Sequence, residues 1–306
     1  MSGRAASPWV IDTADVSALE LFLLRRMREH ASGDHASVFA GGGMDLRGLR
    51  EWEPGDSMSD IDWAQSSIHN FSPLITRQFE QDSAATVMVA ADASLSTRGG
   101  SPSAPMRATL LRCLAVLGMS AAFAQDRFGM VAFGDTGRPM RALRPRAGKA
   151  HVLHCLSQYV SCSESAERGE GDLMAQLEAH LRGNSLLVLL SDGLLASIDT
   201  LIERLAALSG EHDVLVVLVD AREAFAIPPV NAGWLETVDV ETGETCTMSR
   251  AAALAMRERI AGWQAGVFHR AQARGVEVVI VDADRFRMAE TLASCFTRRR
   301  LRKLRG

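Results

Sequence analysis

The chain has 306 residues, of which 47% are hydrophobic and 23% are charged, a composition typical of a folded globular protein with a sizeable core. Its formal net charge of −4 argues against a general nucleic-acid binder. Its five cysteines are widely spaced and form no CxxC pair, which argues against a disulfide framework or a zinc site.

The sequence shows no targeting segment. No basic start followed by an apolar stretch opens the chain, so we expect no secretory signal. The longest apolar runs, such as 186–190 and 214–219, are too short to span a bilayer. We therefore expect a cytoplasmic protein without an integral membrane segment.

The N-terminal part differs in pattern from the rest of the chain. Residues 17–29 alternate apolar and basic positions at helical spacing, which predicts a surface helix. The glycines at 41–43 are followed by no Lys-Ser/Thr pair, so the P-loop interpretation fails. Residues 73–79 are predicted to form a short extended segment.

Residues 45–63 are polar, and two interpretations of this segment remain open. Trp and Arg are favoured anchors at interfaces, so the segment is a candidate partner-binding surface. Alternatively, it is a hydrogen-bonded clasp that ties the N-terminal region to the core, with both tryptophans buried. The candidate partner-binding residues are Trp52, Asp56, Asp62 and Trp63.

From residue 86 onwards, apolar strand patterns alternate with helical patterns. This alternation predicts a parallel sheet with helices on both faces. A basic segment at 138–146 has no assigned element, and the tail at 298–306 is either a solvated basic run or a dock for an acidic partner or an anionic membrane. The predicted elements are strands at 86–91, 128–133, 185–190, 214–219 and 276–281, helices at 107–125, 149–159, 172–181, 198–208, 250–274 and 286–296, and an edge strand or hairpin at 234–240.

Oxygen-bearing side chains follow two of the predicted strands. Asp92, Ser94 and Ser96 come after the first strand of the core, and Asp192 follows the strand at 185–190. Ligands collect beyond the carboxyl ends of the strands in such sheets, and short oxygen ligands suit Mg²⁺. The pattern predicts a metal site, with a metal-free alternative in which these side chains cap backbone amides.

These segments resemble a known family. The DxSxS pattern at 92–96 and the SDG at 191–193 are similar to the metal-ion-dependent adhesion site of the von Willebrand factor type A domain. PGD at 54–56, IDW at 61–63, RxFE at 77–80 and DxETGE at 239–244 resemble a bacterial subgroup known as domain of unknown function 58, which is associated with MoxR-type AAA+ ATPases.

The resemblance implies a von Willebrand factor A-like, doubly wound, mainly parallel α/β fold. The expected domains are an N-terminal extension at 1–83, the α/β domain at 84–297 and the basic tail at 298–306. The family pattern has a threonine as the third metal ligand where this chain has Gly171, which predicts a weakened site unless water, a backbone carbonyl or Asp172 replaces it.

By this resemblance we expect a non-catalytic interaction module that acts with a MoxR-type ATPase in assembling or maturing a client protein. No catalytic triad signature accompanies the eight histidines, so we expect no enzyme activity. Two alternatives stay open. One is a Mg²⁺-dependent hydrolase or nuclease that uses Asp92, Asp192 and Asp220; the other is a metal-free structural scaffold.

Overall fold

The computed structural model of the protein describes residues 44–54, 56–68, 70–81, 85–101, 104–136, 138–162, 172–181, 185–222, 233–238 and 244–303. The chain divides into two compact units at the boundary between Ala84 and Ala85. The predicted helix at 17–29, the glycines at 41–43 and Gly171 lie outside the described residues.

The smaller unit contains a strand that the sequence analysis did not predict. Strand β1 (Met44–Glu51) pairs antiparallel with β2 (Ile75–Gln81), and helix α1 (Trp63–Ile68) lies between them in sequence. The register shifts between Leu46 and Gly48. Such a bulge interrupts the alternation of side chains, which explains why β1 does not show the period of two that identifies strands.

The larger unit is built from alternating strands and helices. Its strands are β3 (Thr86–Asp92), β4 (Gly100–Ser101), β5 (Ala104–Pro105), β6 (Arg127–Phe133), β7 (Pro139–Ala147), β8 (Ser185–Ser191), β9 (Asp213–Val219), β10 (Trp234–Val238), β11 (Thr245–Ser249) and β12 (Glu277–Val281). Its helices are α2 (Met106–Phe123), α3 (Lys149–Cys162), α4 (Leu173–Glu178), α5 (Ile198–Leu208), α6 (Arg250–Ala273) and α7 (Arg285–Lys303).

Six of these strands form one sheet in the order β12–β9–β8–β3–β6–β7. All neighbouring pairs are parallel except β6–β7, which is antiparallel. The expected mixed α/β fold with a mainly parallel sheet is therefore confirmed. Strands β10 and β11 pair with each other in a separate antiparallel hairpin.

Two hydrophobic clusters cover the sheet, and β3 contributes to both. Val87, Val89 and Ala91 belong to one cluster, whereas Met88 and Ala90 belong to the other, as the alternation of side chains along a strand requires. The first cluster includes residues of α2, α3 and α7, and the second includes residues of α4, α5 and α6. The sheet is therefore buried between helices.

The structure differs from the sequence-based expectation in two segments, at 138–146 and at the end of the last helix. The basic segment at 138–146 is the edge strand β7, whose register against β6 shifts at two places, so its apolar residues do not alternate regularly. The last helix does not end at 296 but continues to Lys303, so no break separates it from the basic residues that begin at 298.

Helix α2 is, in the described part of the chain, the one helix with the length and apolar composition of a membrane span. Of its most apolar stretch, 78% is buried inside the protein, and its side chains belong to the first hydrophobic cluster. It packs as a core helix of the α/β unit.

Candidate functional site

The candidate site lies where the strand order of the sheet reverses direction. From β3 the chain adds β6 and β7 on one side, and then returns to place β8 and β9 on the other. Open α/β sheets bind ligands at such a switch point, beyond the carboxyl ends of the two central strands. Here those strands are β3 and β8, which pair directly.

The loops after β3 and β8 meet through a chain of hydrogen bonds. The Ser94 amide donates to Oδ1 of Asp92 at 2.9 Å, and the hydroxyls of Ser94 and Ser96 lie 3.0 Å apart. Ser96 Oγ in turn donates to Oδ2 of Asp192 at 2.8 Å. The structure therefore brings all four predicted metal-site residues to one place.

Ser191 joins this group, although the sequence analysis gave it no role. Its hydroxyl donates to Oδ2 of Asp92 at 2.5 Å and accepts from the Gly193 amide at 3.0 Å. Asp192 Oδ1 accepts from the Leu194 amide at 2.9 Å. Each carboxylate thus has one oxygen fixed by its own loop and the other in contact with the neighbouring loop.

Both carboxylates are withdrawn from solvent, and this changes their ionisation. Asp92 and Asp192 are each 0% exposed. Burial raises the pKa of Asp92, against the lowering effect of hydrogen bonds from Ser191 and Ser94. Burial and the nearby charge of Asp92 raise the pKa of Asp192 to about 7. The pocket therefore disfavours two uncompensated negative charges, which a bound cation would neutralise.

A buried arginine and the protein's one tyrosine stabilise the loop after β3 through hydrogen bonds. Tyr159 donates its hydroxyl hydrogen bond to the backbone carbonyl of Asp92 at 2.5 Å. Arg107, which is 2% exposed, donates to Thr97 Oγ1 at 2.7 Å, and Thr97 donates to the Ser94 carbonyl at 2.6 Å. The Arg107 guanidinium also lies 4.7 Å from the Tyr159 ring centroid. Side chains from α2 and α3 therefore fix the position of this loop.

Helix α6 fixes the loop after β8. Gln264, which is 4% exposed, donates from Nε2 to the carbonyls of Asp192 at 2.7 Å and Val219 at 2.8 Å. The neighbouring Trp263 donates from Nε1 to the Gly193 carbonyl at 2.7 Å. One turn of α6 thus holds the ends of both β8 and β9.

The donor set of the site suits a hard cation. It consists of carboxylate and hydroxyl oxygens, the ligand type that Mg²⁺ prefers. In the ranges that the structure describes, no group of three or more His, Cys, Asp and Glu side chains is placed to hold a metal. Asp220 instead binds the Arg222 guanidinium through both carboxylate oxygens, so it does not join Asp92 and Asp192 in a group of three acids placed to hold a metal.

Asp172, one of the expected replacements for the family's threonine, is engaged by other groups of the protein. Both of its carboxylate oxygens accept hydrogen bonds from the Arg204 guanidinium, and one also accepts from the Ala175 amide. Asp172 is thereby the N-cap of α4, and Arg204 holds its carboxylate.

The candidate partner-binding residues lie in the smaller unit. Asp56 accepts from Arg50 Nη2 at 2.7 Å and from the Glu53 amide at 2.9 Å, and Asp62 accepts from the Gln65 amide at 3.1 Å, so both carboxylates stabilise local turns. Trp63 is 54% exposed.

Trp63 is exposed, whereas the clasp interpretation expected both tryptophans to be buried. Trp52 is half-buried, and its Nε1 has no hydrogen-bond partner among the described residues. Exposed apolar side chains at Met58, Ile68 and Phe71 belong to the same unit.

Two solved structures are similar to this chain. One is described as the crystal structure of the conserved hypothetical protein BatB from Bacteroides thetaiotaomicron; it is 15% identical, with a TM-score of 0.41, over 69% of this chain and 98% of that one. The other is described as the crystal structure of an aerotolerance-related membrane protein from Bacteroides fragilis NCTC 9343 with multiple mutations to serines. It is 17% identical, with a TM-score of 0.39, over 68% of this chain and 96% of that one.

No curated protein matches the chain. The model of the family described as protein of unknown function DUF58 matches residues 48–272. This match covers more than half of the chain, and it agrees with the motifs recognised in the sequence. The protein is a member of the DUF58 family.

Proposed function

We propose that this chain is a non-catalytic interaction module with a von Willebrand factor A-like fold, whose site at β3 and β8 binds Mg²⁺ and, through it, a partner protein. The hydrogen bond from Ser96 to Asp192 carries the proposal, because it joins the DxSxS loop to the loop after β8. The helices on both sides of the sheet are further support for the doubly wound fold.

Each residue of the site has a distinct part in this proposal. Asp92 uses both carboxylate oxygens to hold Ser94 and Ser191, so it shapes the loop and contributes negative charge. The hydroxyls of Ser94 and Ser96 and the Oδ2 of Asp192 face one another and supply the oxygens that would hold the cation. Mg²⁺ bound there would supply an open coordination position for a carboxylate of the partner.

The contacts of the three serines favour recognition over turnover. The Ser-His-Asp arrangement activates its serine with a histidine base, whereas here Ser96 and Ser191 donate to carboxylates and Ser94 contacts Ser96. In the part of the chain that the structure describes, no histidine is bonded to them. We therefore assign no catalytic residue.

The family resemblance names the class of partner. A MoxR-type AAA+ ATPase would act with this module on a client protein, and the exposed Trp63 of the smaller unit would add contact area to such a complex, since tryptophan is enriched among binding hot spots.

Biolayer interferometry with a purified MoxR-type AAA+ ATPase tests the proposal. We expect binding in Mg²⁺, loss of binding in EDTA and in Ser96→Ala, and full binding by the control Ser209→Ala, which removes an exposed serine at the end of α5. The absence of binding in the ATP-bound and nucleotide-free states would overturn the partner assignment, and equal binding by both serine variants would overturn the role of the site.

A metal-free scaffold is a second candidate, because protein groups alone already satisfy the hydrogen bonds of the site's carboxylates. Ser96 satisfies Asp192, and Ser191 satisfies Asp92, without any further ligand. In that case the ATPase would bind equally well in Mg²⁺ and in EDTA.

A further inference from the structure

Basic side chains line the outer edge of the sheet. Strand β7 is the last strand on its side and pairs only with β6 among the described strands. We call its exposed basic residues, with those that flank it, the arginine strip: Arg138, Arg141, Arg144, Arg146 and Lys149.

The four arginines of this strip have no acidic partner in the described part of the chain. Elsewhere in the α/β unit, Arg204, Arg270 and Arg274 each form an ion pair with an acid. The whole chain carries 37 acidic and 33 basic residues, so acids are in excess. A row of four unpaired arginines is therefore a local concentration of positive charge on an acidic protein.

Protection of an edge strand explains only part of this pattern. Charged residues and prolines keep exposed edges from pairing with other chains, and β7 has Pro139 and Pro145 in addition to its arginines. Lysine serves that purpose as well as arginine does. The planar guanidinium, by contrast, matches a carboxylate through two parallel hydrogen bonds.

The arginine strip begins beside the candidate metal site. The Gly134 amide donates to the Arg138 carbonyl at 3.1 Å, which closes the connection between β6 and β7. Asp135 of that connection accepts from the Leu95 amide of the DxSxS loop at 2.8 Å. The first arginine of the strip therefore follows directly on a turn that is bonded to the site.

We infer that the arginine strip is the docking surface for an acidic segment of a partner protein, which runs from the candidate metal site along β7. The inference rests on the proposed function in one respect, namely that one carboxylate of the segment binds at the candidate metal site. The strip itself recognises the remaining acids of the segment through its guanidinium groups.

A protein segment fits this surface better than a nucleic acid or a membrane does. Residues 138–149 include no aromatic side chain, and binding of single-stranded nucleic acid relies on stacking of bases on aromatic rings. The net charge of −4 opposes a long polyanion. The exposed positions of β7 carry arginine and alanine, so the strand offers no large apolar side chain to anchor in a membrane.

Fluorescence anisotropy with a labelled glutamate-rich peptide tests the inference in the full chain. The peptide is titrated in Mg²⁺ and in EDTA, at low and at high salt. The test variant Arg141→Glu/Arg144→Glu is compared with Arg259→Glu/Arg287→Glu, which reaches the same net charge through exposed residues of α6 and α7. A neutral variant, Arg141→Gln/Arg144→Gln, separates the loss of contacts from repulsion, and unfolding curves verify that each variant folds.

We expect the strip variant to weaken peptide binding on the order of tenfold, the neutral variant to weaken it less, and the control to change it less than twofold. High salt weakens binding to the wild type. Binding that persists in EDTA and depends on the arginines supports the strip while refuting the metal site. Equal binding by strip variant and control overturns the inference, as does preferential binding of a thymidine oligonucleotide or of phosphatidylglycerol vesicles.

Discussion

Ser96 and Asp192 lie 96 positions apart in the chain, yet the hydroxyl of Ser96 donates a 2.8 Å hydrogen bond to Oδ2 of Asp192. The contact follows from the order of the sheet, because β3 and β8 are parallel neighbours and their carboxyl ends lie at the same edge. It links the DxSxS loop to the loop after β8.

Gln264 is expected to contribute to stability far more than an ordinary surface glutamine. Gln264→Leu removes hydrogen bonds to the carbonyls of Asp192 and Val219 and from the amide of Ala221. Buried groups left without partners cost about 1–3 kcal/mol each. Since three groups lose a partner here, we expect the free energy of unfolding to fall by roughly 3 kcal/mol or more.

Urea unfolding measures this loss, and Gln272→Leu is the matched control on the same helix, since Gln272 is exposed. That substitution is expected to change the unfolding free energy by less than about 0.5 kcal/mol. Similar losses in the two variants would mean that Gln264 does not hold the strand ends.

A side chain at Gly193 is expected to lower the stability of the protein. Its φ is +73°, and a Cβ atom there would lie 3.3 Å from Leu218 Cδ2. A left-handed conformation costs a residue with a side chain about 1–2 kcal/mol, so Gly193→Ala is expected to lower the unfolding free energy by at least that amount.

Gly262→Ala on α6 is the comparison, because a Cβ at Gly262 meets nothing within 4 Å. Alanine is favoured over glycine in a helix by about 1 kcal/mol, so this variant is expected to be more stable than the wild type. Thermal unfolding of the two variants gives shifts of opposite sign if the loop has the conformation described, and shifts of the same sign if it does not.

The cysteines are expected to differ sharply in reactivity. Cys246 is exposed, and burial raises the pKa of Cys155 to about 12 and that of Cys113 as well. Since the thiolate is the reactive form, a thiol reagent at pH 8 should modify Cys246 rapidly and the buried thiols only after denaturation. Rapid modification of two or more thiols in the native protein would contradict the packing of α2, α3 and α7. The four buried cysteines are Cys113, Cys155, Cys162 and Cys295.

The sequence predicts best what is local or continuous. The buried strands and long helices follow from apolar runs and periodicity, and Asp92, Ser94 and Ser96 are recognisable because they lie within five positions of one loop. Asp192 is recognisable because it ends a buried strand. That the two loops lie together depends on the order of the strands in the sheet, which only the structure shows.

The residues that support the site were missed because their roles arise only in the tertiary fold. Gln264 was accessible in principle: it is buried on α6 with Ile260 and Val267, at the helical spacing of a core face, and a polar residue on such a face needs a hydrogen-bond partner. Arg107 gives no such signal, since its contact with Thr97 depends on how α2 packs beneath the loop.

Calorimetric titration of Mg²⁺ into the wild type, into Asp192→Asn and into Asp60→Asn tests the metal site directly. Both substitutions remove one negative charge, but Asp192 is bonded to Ser96 and Asp60 belongs to the smaller unit. We predict saturable binding of one Mg²⁺ to the wild type and to Asp60→Asn, and no measurable binding to Asp192→Asn. Identical titration curves for all three proteins, whether or not they show heat of binding, would contradict the proposal that these loops form a cation site.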